Sequence, residues 1–277
     1  MDVRKAYVDT PKGQVHYLTT GTGAPSRNRP ISAIVLLHQT SDASTMWLPV
    51  LPLLGEMGYH AVAIDMPGHG NSDAPPEQPD AAEFARRVDE VAQLLELGRY
   101  HIFGHHFGAT IAAWVAANHA EHVGKLLLYG WPALDPAWRK KMQQASDRPF
   151  SKDGEDIKKY WMSRWETSDM GLPDGASSGF TADTARRTET ARLQTGPTWY
   201  YAYHAMGFTD HAELAGRISC PTLLFAGPRD HMWEESESAV QDFSNARFEN
   251  VPGAGLDISD EMPEEFCRIV DTFLRED

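Results

Sequence analysis

The sequence predicts an α/β fold: a mostly parallel, twisted sheet with helices on both faces and a helical insertion in its second half. Three features lead there. Short runs rich in Val, Ile and Leu recur along the 277 residues, as buried parallel strands require. Stretches with apolar residues three and four apart lie between them, and clusters of Gly, Pro, Asn and Asp mark the joins. One long stretch breaks the alternation and shows only helical patterning.

The chain opens on AYVDTPKGQVHYLTTG, which alternates about a Pro-Lys-Gly turn and reads as an antiparallel hairpin. SAIVLLH (32–38) follows as the first buried strand, then the polar loop QTSDASTMW and a helix through WLPVLPLLGEMG that ends at Gly58. HAVAIDM (60–66) is the next strand. After the turn PGHGNSDAPPEQPD, a helix through DAAEFARRVDEVAQLLELG puts Phe84, Val88, Val91, Leu94 and Leu95 on one face. RYHIFGH (99–105) is a strand, ATIAAWVAANHAEHV a helix of small residues, and KLLLYG (125–130) another strand. CPTLLFAG (220–227) and ARFENV (246–251) supply the last strands, and PEEFCRIVDTFLRED the closing helix. Residues 132–217, rich in Trp, Tyr, Met, Arg and Lys, read as a helical cap over the mouth of the sheet. The cap divides one core into two parts, 1–131 and 218–277.

Composition narrows the partners. Thirty-nine acidic against 25 basic residues give a net charge of −14, which argues against nucleic acid or an anionic membrane. No run approaches the roughly eighteen apolar residues of a membrane span, and the N-terminus lacks the apolar core of a signal peptide. Two cysteines, Cys220 and Cys267, argue against a disulfide framework. The expectation is a cytoplasmic monomer or homodimer with a small-molecule substrate.

Residues 104–108 read GHHFG between a strand and a helix. That is the outline of an elbow, Gly-x-nucleophile-x-Gly, with His106 at its centre. Other landmarks stand in order around it: LLHQ after the first parallel strand, IDMPGHGNSD after the second, PTLLFAGPRD late in the chain, and VPGAG followed by PEEF. Together they resemble the α/β-hydrolase fold superfamily over nearly the whole chain, and within it capped members whose elbow reads Gly-His-His-x-Gly in place of Gly-x-Ser-x-Gly. The resemblance implies an enzyme. It also implies an oxyanion hole from the backbone N–H groups of Gln39 and Phe107, and a catalytic acid at Asp230.

The chain departs from that pattern twice. His106 stands where serine is usual, and Leu256, then Asp257, stand after PGAG where the family places its histidine. His231 is the last histidine, so no later one takes the role and no Ser-His-Asp triad can form in the usual order. The positive end of the following helix disfavours imidazolium, so a neutral His106 ring is expected. A neutral imidazole offers one lone pair and one N–H: it can take a proton, attack an acyl group or donate a hydrogen bond. About one imidazole's breadth is expected between His106 and Asp230, room for a bridging water.

The reading is therefore a cofactor-free enzyme acting on a small apolar or aromatic ester, lactone or carbonyl compound, with His106 as base or nucleophile. The alternatives are a non-catalytic binder with the same pocket, or a base-catalysed lyase or cofactor-independent oxygenase on the same fold. Asp135 and Asp257 are rival acids, Asp257 read as a surface-loop residue. His38 and His105 flank the oxyanion loop and elbow as structural or substrate-binding residues, and the Gln39 amide is placed to reach substrate. Trp131, Trp161, Trp165, Trp199, Tyr200, Tyr203 and His204 are candidates to line the pocket. His69 and Asp65 read as turn-stabilising residues. No His, Cys or carboxylate set shows metal-ligand spacing, and no Gly-rich phosphate loop is present.

Overall fold

The alternating runs become an eight-stranded sheet because each central strand is apolar on both sides and can satisfy its backbone only between neighbours covered by helices. In the computed structural model, residues 2–21, 33–75, 77–146, 153–155 and 182–276 are described. The strands are β1 (Arg4–Thr10), β2 (Gly13–Thr19), β3 (Ala33–Leu37), β4 (His60–Ile64), β5 (Tyr100–His105), β6 (Val123–Tyr129), β7 (Thr222–Ala226) and β8 (Ala246–Asn250). Their spatial order is β1-β2-β4-β3-β5-β6-β7-β8. The β1–β2 hairpin pairs antiparallel and joins β4 antiparallel; from β4 to β8 every pairing is parallel.

Successive residues of β3 separate the two faces. Val35 and Leu37 join Phe84, Val88 and Phe107 on one side; Ile34 and Leu36 join Trp47, Phe103 and Phe266 on the other. The first side is covered by α2 (Ala81–Leu94) and α3 (Phe107–Asn118), the second by α1 (Leu51–Glu56) and the closing helix Pro263–Arg275. Asp80 starts α2 as its N-cap, accepting a hydrogen bond from the Glu83 N–H at 2.7 Å. Leu94, expected on the buried face of α2, is exposed instead, because the helix ends there and Leu95 turns back onto the core.

Between β6 and β7 the described residues are helical: α4 (Pro136–Ser146), then Ala182–Thr195, Tyr200–Gly207 and His211–Gly216. They dock on loops at the C-terminal ends of the strands. Arg187 donates to the Thr45 carbonyl at 3.0 Å and pairs with Asp260, and Thr198 Oγ1 donates to the Gly68 carbonyl at 2.5 Å. Trp161 and Trp165 lie outside the described residues.

Chain direction reverses around β3: the connection leaves it toward β4 on one side and returns to β5 on the other. The loops after β3 and β5 therefore splay apart at the C-terminal edge, where open parallel sheets take their ligands. The elbow after β5 needs two close backbone approaches. A Cβ on Gly104 would lie 2.2 Å from the Gly108 carbonyl oxygen, and one on Gly108 would lie 2.4 Å from the Leu37 carbonyl oxygen. Gly108→Ala is thus expected to lower the urea midpoint by the equivalent of about 1–3 kcal/mol. Gly216→Ala, whose added Cβ meets nothing nearer than 3.9 Å, is the control and should leave the midpoint within error. Equal midpoints for the two variants would contradict the packing argument.

Candidate active site

His106 is held at the tip of the elbow with φ 49° and ψ −108°, a left-handed conformation that a side chain adopts only under constraint. Its backbone is fixed on both sides. The N–H donates to the Tyr129 carbonyl at 2.9 Å, and the carbonyl accepts from Ala109 at 2.9 Å and Thr110 at 3.2 Å as α3 begins. The ring therefore stands above the C-terminal edge of β5, with little freedom to swing away.

Its Nε2 meets the Asp230 carboxylate directly, at 2.9 Å to Oδ2 and 3.1 Å to Oδ1. This corrects the expectation of a water-bridged gap. An imidazole is longer than a serine hydroxymethyl group, and from the same elbow it crosses the space to the acid unaided. Gly130, at the end of β6, makes the crossing possible: a Cβ there would lie 2.1 Å from His106 Cδ2 and 2.8 Å from Asp230 Oδ2. Sequence reasoning passed over Gly130, although a glycine directly after KLLLY was the signal.

Asp230 is almost fully buried, and burial alone would raise its carboxyl. The neighbouring His106 charge, its hydrogen bond and the Met232 N–H at 2.8 Å outweigh that, so the net direction is down and the acid is ionised. With Asp230 ionised, the ring donates its Nε2 proton to the acid. Nδ1 makes no hydrogen bond among the described residues, and 10 % of the side chain stays exposed. The rings that meet His106 are His105 beneath it and His231 beside it, edge-on at 4.5 and 5.1 Å. His231, mostly exposed, was not anticipated as a neighbour.

The loop after β3 supplies the opposite wall. His38 is fully enclosed: its Nε2 accepts from the Met66 N–H at 3.0 Å, so Nδ1 carries the proton and donates to the Gln39 carbonyl at 2.8 Å. Burial, above all, lowers its pKa. The ring thus ties the loop to the end of β4 and has no surface to offer a substrate. The N–H groups of Gln39 and Phe107 donate to no described residue. The Gln39 amide does not point at a ligand; its Nε2 donates to Asp257 Oδ1 at 2.9 Å.

Asp257 is buried, which corrects the surface-loop reading: the chain after β8 folds back against the loop after β3. Burial, with the charges of Asp42, Asp260 and Glu261, pushes its carboxyl up to about 7. Asp42, also buried, is raised to about 6, chiefly by burial. Asp135 is exposed and accepts from the Trp138 N–H at 2.8 Å at the start of α4, so it is a helix cap. Asp65 accepts from the Ser44 and Asn71 N–H groups at 2.6 and 2.8 Å and meets His16 at 2.7 Å. His69, buried and lowered to about 3 chiefly by burial, stacks on Phe107.

Two other expected pocket residues, His105 and Trp131, are enclosed. His105 is fully enclosed between Trp47, Tyr129 and His106, and burial holds it well below the ordinary histidine range. Trp131 is also enclosed, against His211 and Phe243, so neither has surface for substrate. Trp199 and Tyr203 meet edge-on at 5.0 Å, and His204 packs on Phe208. Trp199, Tyr200, Tyr203 and His204 are half-buried. A groove of about 630 Å³ bounded by Lys12, Pro75, Gln78, Glu83 and Arg86 shares no residue with the elbow.

The pattern of the α/β hydrolase fold family matches residues 32–261. The chain belongs to that family. It is 26 % identical over 271 residues to a fluoroacetate dehalogenase of a Burkholderia species, covering 87 % of this chain and 86 % of that protein. It is 24 % identical over 224 residues to the (E)-2-((N-methylformamido)methylene)succinate hydrolase of Acinetobacter baylyi, covering 78 % and 76 %. The crystal structure of ALR0039, an α/β hydrolase of a Nostoc species, superposes with a TM-score of 0.78 at 21 % identity, over 99 % of this chain and 98 % of that one. That likeness shows the fold; the names of the sequence relatives support a hydrolase. Among the described residues, no helix of this α/β hydrolase is long and apolar enough to cross a membrane.

The raised Asp257 carboxyl has a consequence for stability. An unfolded aspartic acid ionises near pH 3.9, whereas Asp257 in the folded chain ionises near 7. Between those values the folded state binds the extra proton, so the stability this group contributes is present below pH 4 and lost as pH rises through 7. Asp257→Asn keeps an acceptor for the Gln39 amide and removes the titration. The variant's denaturant midpoint is expected to gain on the wild type between pH 4 and 7.5. A constant offset between the two across that range would refute the buried-acid assignment.

Proposed function

We propose that this chain is a cofactor-free enzyme that hydrolyses small apolar or aromatic esters, lactones or related carbonyl compounds, with His106 as general base. One observation carries the reading: Nε2 of His106 is anchored on a buried carboxylate while Nδ1 has no partner among the described residues and the ring stays partly open. The familiar acid–histidine arrangement has one nitrogen on the acid and the other on the reacting oxygen. Here the elbow histidine fills both the nucleophile's position and the histidine's, with Nδ1 as the working nitrogen.

In this reading Nδ1 takes a proton from water as the water oxygen attacks the substrate carbonyl. Asp230 stabilises the imidazolium that forms. The unpartnered N–H groups of Gln39 and Phe107 hold the oxyanion, the second of them also at the positive end of α3. As the intermediate collapses, the imidazolium returns its proton to the leaving oxygen. The base is favoured over the nucleophile because an acylated ring would lose its proton-accepting nitrogen just when hydrolysis needs one. The helices of 132–217 act as the cap: their contacts with Gly68, Thr45 and Asp260 set them over the loops that carry the site. Apolar substrates follow from the aromatic residues those helices bring, Trp199 and Tyr203 among them.

Turnover of short acyl esters and aryl lactones tests this. His106→Ala is expected to lower kcat by roughly 10²–10⁴ with a smaller effect on KM. Asp230→Asn should also lower kcat, because it removes the charge that steadies the imidazolium. Isotopically labelled water should place one labelled oxygen in the acid product. Unchanged turnover in His106→Ala would sink the base assignment, and ligand binding without turnover in the wild type would leave a binding protein.

A further inference from the structure

α3 has a second end. Its twelve residues run about 18 Å from the elbow to the opposite edge of the sheet, where the turn His119–His122 leads into β6. The sequence there shows no metal-ligand spacing, but the fold supplies the missing partner from α2, thirty residues earlier. Asp89, His119 and His122 bring one carboxylate and two imidazole nitrogens within 4.8 Å of one another.

We propose that Asp89, His119 and His122 form a binding site for a borderline divalent transition cation, Zn²⁺ being the representative, at the base of the sheet. The three donors are held before any ion arrives. His119 N–H donates to the Val115 carbonyl at 2.8 Å, His122 N–H to the His119 carbonyl at 2.9 Å, and Tyr100 N–H to the His122 carbonyl at 2.9 Å. The two rings lie nearly parallel, 7° apart with centroids 6.2 Å from each other. Each turns Nδ1 to the same carboxylate: His122 to Oδ1 at 2.8 Å, His119 to Oδ2 at 3.4 Å. Behind it the Tyr100 hydroxyl donates to Asp89 Oδ1 at 2.8 Å, the kind of outer hydrogen bond that orients a ligating carboxylate.

The donor chemistry selects the ion. Two neutral imidazoles and one carboxylate suit Zn²⁺ and its neighbours, whereas Ca²⁺ and Mg²⁺ ask for oxygen donors. The cluster is reached from solvent. The His119 and His122 side chains are 25 % and 30 % exposed and Asp89 is 9 % exposed, so a cation enters from solvent and keeps a position for water. His105, His106 and Asp230 also converge within 4.8 Å, but His105 is fully enclosed and Asp230 is committed to His106. The base of the sheet is therefore the better site. A cation there would clamp α2 to the α3–β6 turn, a structural role remote from the elbow.

Calorimetric titration of the chelator-treated full chain with ZnCl₂ tests the assignment. The wild type should take up one equivalent, and X-ray absorption should show two imidazole nitrogens at about 2.0–2.1 Å with oxygen completing the shell. The double variant His119→Ala/His122→Ala should lose affinity by about 100-fold, while His106→Ala should bind as the wild type does. The partly exposed ligands favour folding of the alanine pair; if circular dichroism shows it unfolded, the Gln pair is read in its place. No saturable uptake by the wild type, undiminished uptake by the double variant, or loss of uptake in His106→Ala would each overturn the proposal.

Discussion

The candidate site depends on one contact, the hydrogen bond between His106 Nε2 and the Asp230 carboxylate, which joins residues 124 apart in sequence. Both partners are largely buried, so neither is cheap to leave alone: removing one member of such a pair strands the other's charge at a cost of about 3–5 kcal/mol. The fold makes the contact and restrains it. The elbow fixes the imidazole by its backbone, Gly130 leaves the space the ring crosses, and the Met232 N–H holds the carboxylate from behind. A histidine without that acid would be a ring on a turn. With it, one nitrogen is fixed and the other has no partner among the described residues.

Around this pair the molecule collects more negative charge than a neutral pocket would. Asp42, Asp257, Asp260 and Glu261 sit close together, and three of them, Asp42, Asp257 and Asp260, have carboxyls raised chiefly by burial. Arg187 relieves part of the repulsion by pairing with Asp260 and donating to the Thr45 carbonyl. That arginine comes from the helical insertion, so the same ion pair that balances the acids also seats the insertion on the core. The link has a chemical side as well. Asp257 holds the Gln39 side-chain amide, on the loop after β3 whose backbone N–H is one of the two proposed oxyanion donors. Protonation of a buried acid thereby bears on the wall of the site without touching substrate.

α3 connects the two ends of the design. Its first turn presents His106 and the Phe107 N–H at the mouth, and its last leads into the histidine pair at the base. Being rich in Ala, with Gly108 in its first turn, it packs close against β3 and β5, which lets the Leu37 and Gly108 backbones approach closely. It holds the elbow at a set height above the sheet.

Much of this was legible in the sequence, and the reason is range. Strands such as SAIVLLH and helices such as 81–94 declare themselves through periodicity within a few residues, and the elbow through two glycines bracketing one side chain. Phe84, Val88 and Val91 fell on the buried face as spacing alone requires. What was misread involves distance through space: the direct reach of His106 to Asp230, the burial of Asp257 under the loop after β3, the clearance at Gly130, and the meeting of Asp89 with His119 and His122. Sequence by itself determined the α/β architecture and the residue at the tip of the elbow, because backbone hydrogen bonding and hydrophobic period act locally. Tertiary structure alone decided which acid that residue touches, which ring nitrogen meets it and which carboxyls are raised. Those are set by side-chain length, burial and the charges brought near, and each arises only when segments far apart in the chain pack together.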